Sequence, residues 1–183
     1  MSSLFTYSDR VHAGKVLAEI MLERQLESPV ILALPRGGVP VAKEVAEALH
    51  VSLDVLIVRK IGAPFNPEYG IGAMCEDLNP LFNAGEILSL EDLDESVKEI
   101  IEKEKLELKR RIQYYRGSRN LPDIKNKNVI LVDDGLATGV TAAAAGRFLK
   151  MKGAKEIILA VPVAPRSKSE LLDKDSSSFF NFS

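Results

Sequence analysis

The chain has 183 residues, 46% hydrophobic and 27% charged, with a formal net charge of −2. That length favours one domain that buries about 70% of its unfolded surface without staples, and its charge balance excludes a strongly basic nucleic-acid surface. Cys75 is the only cysteine, no apolar run is long enough to span a bilayer, and the opening M-S-S-L-F-T-Y-S-D-R lacks a basic-then-apolar leader, so no disulfide framework, membrane span or secretory signal is expected and a cytoplasmic protein is.

Ser8 suits a helix N-cap with Asp9 in the first turn, and Val11, Leu17, Ile20 and Met21 keep helical spacing to about Leu26. His12 lies in this helix without a partner motif, and Ser28-Pro29 ends it. Residues 30–34 form a short apolar run that reads as a buried strand, followed by Pro35-Arg36-Gly37-Gly38 and a helix from Pro40, a favoured first helical residue, to Leu49. Glycines let the backbone approach an anion closely, and Arg36 adds a charged fork. Strand, R-G-G, helix therefore reads as a phosphate-type loop.

Residues 52–61 read as one more buried strand, with Arg59 and Lys60 at its carboxyl end, the edge where ligands bind in open α/β sheets. Residues 62–70 have loop chemistry, and 70–75 read as a strand with close backbone approach. Glu76-Asp77 is an acid pair for which a solvated turn is the plainer reading and metal or acceptor binding the alternative. A short strand is expected at 81–84, then a long amphipathic helix from Ser89 to about Tyr115, acidic early and basic late, in keeping with its dipole. Arg110, Arg111, Arg116 and Arg119 with Tyr114 and Tyr115 form a basic-aromatic cluster suited to phosphate or nucleic acid, although a solvated helix end is the plainer reading.

The most informative stretch is 129–141, V-I-L-V-D-D-G-L-A-T-G-V-T. A β-branched run ends in Asp133 and Asp134, and a Gly/Thr loop then opens a helix over 140–150. Such a loop offers backbone N–H groups, hydroxyls and a helix's positive end to one phosphate. The carboxylates suit ribose hydroxyls or a hard cation. Gly153 ends the helix, 156–163 is a further buried strand, and the tail from Lys168 shows no strand pattern. Strands alternating with helices imply a mainly parallel α/β sheet.

The stretch resembles the phosphoribosyl-pyrophosphate motif of type I phosphoribosyltransferases: apolar run, two acids, then T-G-x-T. P-R-G-G-V-P-V-A, R-K-I-G-A-P-F-N-P-E and Y-R-G extend the resemblance over about residues 8–166, toward an uncharacterised bacterial-type group. It implies a type I phosphoribosyltransferase fold over 1–183, with 89–117 as an inserted helix and 168–183 as an atypical tail, either a natural short form or a truncated one. It implies transfer of the 5-phosphoribosyl group from 5-phosphoribosyl-1-pyrophosphate to a nitrogen acceptor, a nucleobase being expected, through an oxocarbenium-like transition state. Asp133 and Asp134 would hold the ribose, and Gly135, Ala137, Thr138, Gly139, Val140 and Thr141 the ribose and 5-phosphate. Arg36, Gly37, Gly38, Arg59 and Lys60 would take the pyrophosphate, with Arg59 and Lys60 counted with the two acids as catalytic. Magnesium would be held through the pyrophosphate and ribose hydroxyls rather than by a dedicated protein site.

Residues 60–69 would be a mobile lid, and Val163 to Arg166 would help form the acceptor pocket. Many members carry an acid at the position of Gly135 or Ala137; this chain does not, and no general base is assigned. A homodimer is an expectation from similar enzymes, and nucleic acid is not an expected partner. The alternative is a phosphoribosyl-pyrophosphate-binding regulatory module that contacts nucleic acid.

Overall fold

The computed structural model describes residues 7–82, 93–136 and 139–164, and the backbone of 178–181. In chain order the elements are α1 (Arg10–Glu23), β1 (Val30–Ala33), α2 (Gly38–Leu49), β2 (Leu53–Val55), β3 (Arg59–Ala63), β4 (Asn66–Met74), β5 (Pro80–Phe82), α3 (Glu95–Arg116), β6 (Asn128–Val132), α4 (Val140–Met151), β7 (Glu156–Val161) and β8 (Ser178–Asn181). No helix among the described residues is long and apolar enough to cross a membrane. The chain divides into two compact units, one of Met1–Leu56, Leu121–Ala137 and Leu149–Ser183, the other of Ile57–Asn120 and Thr138–Phe148.

The first unit is built on a five-stranded sheet in the order β2-β1-β6-β7-β8. All of its pairings are parallel. Ile31, Ile130, Val132 and Ile158 pack with Leu17, Met21, Val41 and Val45 of α1 and α2 in one apolar cluster. Strands covered this way need apolar runs rather than alternation, which is how β1, β6 and β7 are written.

Details at the element ends differ from expectation. Asp9, not Ser8, caps α1, its carboxylate accepting the His12 N–H at 2.8 Å. The helix stops at Glu23, and Gln25 already has φ +49°. α2 starts two residues before Pro40, because Gly38 N–H reaches Leu34 O at 3.0 Å and Val39 N–H reaches Arg36 O at 3.3 Å. Pro40 still lies in the first turn, where its missing N–H costs nothing. β8 pairs with β7 in a tail that shows no strand pattern in sequence. Four residues, S-F-F-N, are too short a run for periodicity to reveal.

The strand expected over 52–61 is two strands in two sheets. β2 ends at Val55, and Leu56 N–H bonds Ala33 O at 2.9 Å. In the second unit the Ile57 N–H goes to Glu76 Oε1 at 2.9 Å, which takes that donor away from any ladder. Arg59 and Lys60 then open β3 rather than close β2.

The second unit carries an antiparallel sheet in the order β3-β4-β5. What reads in sequence as a loop over 62–70 is largely strand, and Pro64-Phe65 joins β3 to β4 as a hairpin. Register shifts around Gly62 bulge the hairpin, and a Cβ on Gly62 would lie 2.4 Å from Pro67 O.

α3 packs against this sheet through Val97, Ile101 and Leu108. Asp94 caps it; the start expected at Ser89 falls in 83–92, outside the described residues. Arg116, at its last turn, is buried and paired with Glu76, whose Oε1 accepts from Arg116 Nη1 at 2.9 Å while Nη2 meets Oε2. Glu76 is thereby committed to the fold rather than to a metal or acceptor. The expected basic-aromatic cluster is dispersed. Arg116 points inward, Arg110 and Arg111 both bond Glu107, and Tyr114 meets Tyr115 edge-on. Burial pushes the Cys75 thiol well above its ordinary range, and it stays a neutral packing residue.

The side chains of Arg116 and Glu76 retain 3% and 7% of their exposure, so removing one charge strands the other. Glu76→Gln should lower unfolding free energy by about 3–5 kcal/mol, the usual loss for a broken buried pair. Urea denaturation checks this, and a loss below about 1 kcal/mol would mean that water reaches the pair.

Candidate functional site

In the first unit, β1 and β6 are parallel neighbours with Ala33 opposite Val132, so the loops that follow them leave the same edge side by side. Leu34 N–H extends the ladder to Val132 O at 2.8 Å. The R-G-G loop then lies on the acid pair. A Cβ on Gly37 would sit 2.1 Å from Asp134 Oδ2, and one on Gly38 would sit 2.6 Å from Val132 O and 2.9 Å from the Asp133 Cα. Real Cβ atoms do not approach so closely, so both glycines are demanded by contact rather than by φ. Among the described residues, the backbone N–H groups of Arg36 and Gly37 have no acceptor, and the Arg36 side chain is exposed. The peptide between Pro35 and Arg36 is cis. Two adjacent unfilled donors at the positive end of α2 are the makings of an anion seat.

Asp133 and Asp134 are half-buried at that edge. Asp133 N–H bonds Ala160 O at 3.3 Å, and Asp133 Oδ1 accepts the Asp134 N–H at 2.8 Å. Burial pushes the Asp133 carboxyl up to about 7; its bond from the Asp134 N–H opposes this and the Asp134 charge adds to it. Asp134 Oδ2 accepts from Arg10 Nε at 2.9 Å and Nη2 at 2.7 Å. Sequence reasoning missed Arg10, which is 124 residues away and reads as an ordinary solvated charge in a first helical turn. Leu136 N–H bonds Val163 O at 2.9 Å, tying the loop to the chain beyond β7. A Cβ on Gly135 would be 3.7 Å from Val163 O, ordinary contact, so the lack of an acid there is not steric.

An open groove of about 730 Å³ runs beside these acids, walled by Tyr7, Arg10, Pro40, Asp134, Pro162 and Val163 among others. Val163 thus lies on the groove, as the expected acceptor segment would; Pro165 and Arg166 lie outside the described residues.

In the second unit, Arg59 and Lys60 separate. Opposite residues of an antiparallel ladder share a face, and successive residues alternate. Lys60 is paired with Ala73, and Ala73 with Leu81. Ala73 packs with Val140 and Ala144 of α4, bordered by Val58 and Leu81. Lys60 therefore belongs to the face that meets the amino end of α4. Its stem runs over Gly70, where a Cβ would be 3.0 Å from Lys60 Cδ, and its Nζ donates to Glu68 O at 3.1 Å. Arg59 is on the opposite face, and its Nε donates to Glu104 Oε2 of α3 at 2.6 Å. Strand alternation thus turns the two neighbouring cations to opposite faces.

At the start of α4, Gly139 has φ +81°, Val140 is buried and Thr141 is half-buried. Among the described residues, the N–H groups of Gly139, Val140 and Thr141 have no acceptor. Ala137 and Thr138 lie outside the described residues.

The phosphoribosyl transferase domain family matches residues 9–183. The chain belongs to that family. A Mycobacterium tuberculosis H37Rv protein with a provisional phosphoribosyl transferase name is 41% identical over 160 residues, which is 87% of this chain and 36% of that one. This chain therefore spans about a third of the length of the curated relatives that it matches at that identity. The crystal structure of TT1426 from Thermus thermophilus is 38% identical, covers 97% of this chain and 84% of its own, and has a TM-score of 0.79. A hypoxanthine phosphoribosyltransferase from Staphylococcus aureus shares the fold with a TM-score of 0.55 at 12% identity, over 98% of this chain and 76% of its own.

Two outcomes follow from this geometry. Gly37→Ala meets a side chain that can turn aside, whereas Gly38→Ala meets backbone that cannot. Denaturation midpoints should fall in the order wild type, Gly37→Ala, Gly38→Ala, with the last losing about 1–3 kcal/mol. Equal midpoints would contradict the contact.

Asp133 holds its proton to about pH 7 in the folded chain and loses it near 3.8 when unfolded. The native state binds the extra proton between those values, so stability should fall as pH rises through that window and level off above it. Comparing urea midpoints at several pH values checks this, and Asp133→Asn should flatten the slope.

Proposed function

We propose that the chain binds 5-phosphoribosyl-1-pyrophosphate and transfers its phosphoribosyl group to a nitrogen acceptor, with release of pyrophosphate. The observation that carries this reading is the contact of Gly37 and Gly38 with Val132–Asp134, which sets two unfilled backbone donors beside two carboxylates. Donors of that kind suit a diphosphate, and adjacent carboxylates suit a diol.

In this reading Asp133 and Asp134 accept hydrogen bonds from the ribose hydroxyls. The 5-phosphate takes the loop from Ala137 to Thr141, where the N–H groups of Gly139, Val140 and Thr141 and the α4 dipole supply donors. Arg36, Gly37 and Gly38 hold the pyrophosphate, and Lys60 is the cation of the basic strand assigned to it. Arg59 serves that strand through Glu104. The bond from the ribose anomeric carbon to pyrophosphate breaks with its electron pair leaving on pyrophosphate, one from that carbon to the acceptor nitrogen forms, and the nitrogen's proton passes to solvent. Positive charge gathers on the ribose beside the carboxylates while negative charge gathers on the leaving group beside the cations, so catalysis is positioning and electrostatics.

Hard oxygen donors are the chemistry magnesium takes. When bound, magnesium would supply positive charge to neutralise the pyrophosphate. The regulatory alternative draws no support from α3, whose Arg116, Arg110 and Arg111 are occupied by Glu76 and Glu107.

Calorimetry with phosphoribosyl pyrophosphate and magnesium tests the reading. Asp133→Asn and Asp134→Asn should each weaken binding at least about tenfold, the loss of one charge-assisted hydrogen bond. Unchanged affinity in both would overturn the assignment.

A further inference from the structure

Arg10 crosses from α1 to the acid pair, and stability does not account for it. An ion pair whose side chains are 60% and 31% exposed is screened by water and contributes little to folding. Ordering a long arginine also costs entropy. The placement is nevertheless built in twice. Asp9 caps α1 by accepting the His12 N–H, which fixes the start of the helix one residue before Arg10. One turn on from Arg10, Gly14 lies against α2: a Cβ there would sit 2.8 Å from Val41 O and 2.9 Å from Glu44 Cβ. Residues four apart share a face of a helix. The close approach at Gly14 therefore seats the first turn of α1 beside the amino end of α2, where Pro40 and Asp134 line one groove with Arg10.

The grip on Asp134 is one-sided. Nε and Nη2 both donate to Oδ2, at 2.9 and 2.7 Å, and Oδ1 is left out of it. Two donors of one rigid plane on a single oxygen resist rotation of the carboxylate, because turning Oδ2 away breaks both bonds. Asp133 is held differently, by the Asp134 N–H. A carboxylate that accepts from a hydroxyl must aim a lone pair at it. Left unheld, a half-exposed side chain would give up its freedom only on binding, and that loss would weaken the complex.

We propose that Arg10 is a positioning residue for the ribose: it holds Asp134 by Oδ2 so that Oδ1 accepts a hydroxyl of the diol, and it stays on Asp134 in the complex. The inference rests on the phosphoribosyl-pyrophosphate reading. Two other roles make different demands. A stopper on the carboxylate would have to leave when the ligand arrives, so removing it would tighten binding. A direct contact to the diphosphate would serve any ligand that carries one. The geometry favours positioning, since a stopper would cover both oxygens fork to fork, and a diphosphate contact would aim the donors at the R-G-G loop rather than at a carboxylate.

The test is calorimetry on the intact chain with magnesium, comparing phosphoribosyl pyrophosphate with inorganic pyrophosphate, which has no ribose. Arg10→Gln should weaken phosphoribosyl pyrophosphate about three- to tenfold, the cost of ordering one loosened side chain, and leave pyrophosphate unchanged. Arg10→Lys keeps the charge without the two-donor plane and should recover part of the loss. Thermal midpoints of wild type and both variants should coincide, which separates the effect from a folding defect. In an Asp134→Ala background Arg10→Gln should add nothing, because no carboxylate is left to hold.

Unchanged affinity of Arg10→Gln for phosphoribosyl pyrophosphate would overturn the proposal, and so would tighter binding by that variant. An equal loss for pyrophosphate, or a further loss in the Asp134→Ala background, would show Arg10 acting on the ligand itself and would overturn it too. Each of these leaves the underlying reading intact. A wild type that binds no phosphoribosyl pyrophosphate would remove that reading, and this inference with it.

Discussion

The candidate site depends on two glycines that let one loop lie on another. Gly37 and Gly38 approach the backbone and carboxylates that follow β6 more closely than any side chain would permit. The pairing of β1 with β6 delivers the two loops to the same edge, because parallel strands in register end together. Burial of that ladder, packed against α1 and α2, holds the register against slippage. A methyl group at Gly38 would press on the rigid Val132–Asp133 backbone, whereas one at Gly37 would meet the Asp134 carboxylate, which can turn aside. The donors of one loop are thus positioned by main chain beside the carboxylates of the other.

The second unit uses the alternation of a strand to divide two neighbouring cations. Lys60 shares a face with Ala73, which meets the first turn of α4, while Arg59 points to α3 and Glu104. The same α3 is fixed at its other end by Arg116 on Glu76, and Glu76 also takes the Ile57 N–H. One buried carboxylate therefore ends the run that leads out of β2 and anchors the last turn of a 22-residue helix. The amphipathic pattern of α3 shows a packing stripe, but only the structure shows that this stripe ends in a charge.

Much of the fold was legible because its signals are local. The apolar runs of β1, β6 and β7, the R-G-G and D-D-G punctuation, and the helical spacing of α2 and α4 each lie within a short stretch of chain. The division of 52–61 was not legible, since Leu56, Ile57 and Val58 look the same whether a strand continues or changes sheets. What separates them is the Glu76 carboxylate, 19 residues on. β8 was hidden because an edge strand takes its order from its neighbour rather than from its own pattern. In the site, residues next to a motif were found and residues brought by the fold were not. Arg10 reaches Asp134 across 124 residues, and Glu104 reaches Arg59 across 45. The opposite facing of Arg59 and Lys60 follows from period two once they are known to open β3 rather than to close the strand before it.

The acid pair shows how two identical groups acquire different duties. Asp133 is held mainly by backbone and is desolvated, so it favours its proton near neutrality. Asp134 meets a guanidinium at one oxygen and the amino end of α2 at its back. A diol donating to this pair needs an acceptor on each side. On the reading proposed above, Asp134 would meet it while held by the Arg10 fork, and Asp133 while held by the Asp134 N–H. On the proposed reading, positive charge gathering on the ribose as its bond to pyrophosphate breaks would lower the cost of ionising Asp133. A carboxyl raised to about 7 would then gain more from the transition state than from the bound substrate, which is the differential binding that accelerates a reaction. A carboxylate ionised throughout would bind both states more evenly.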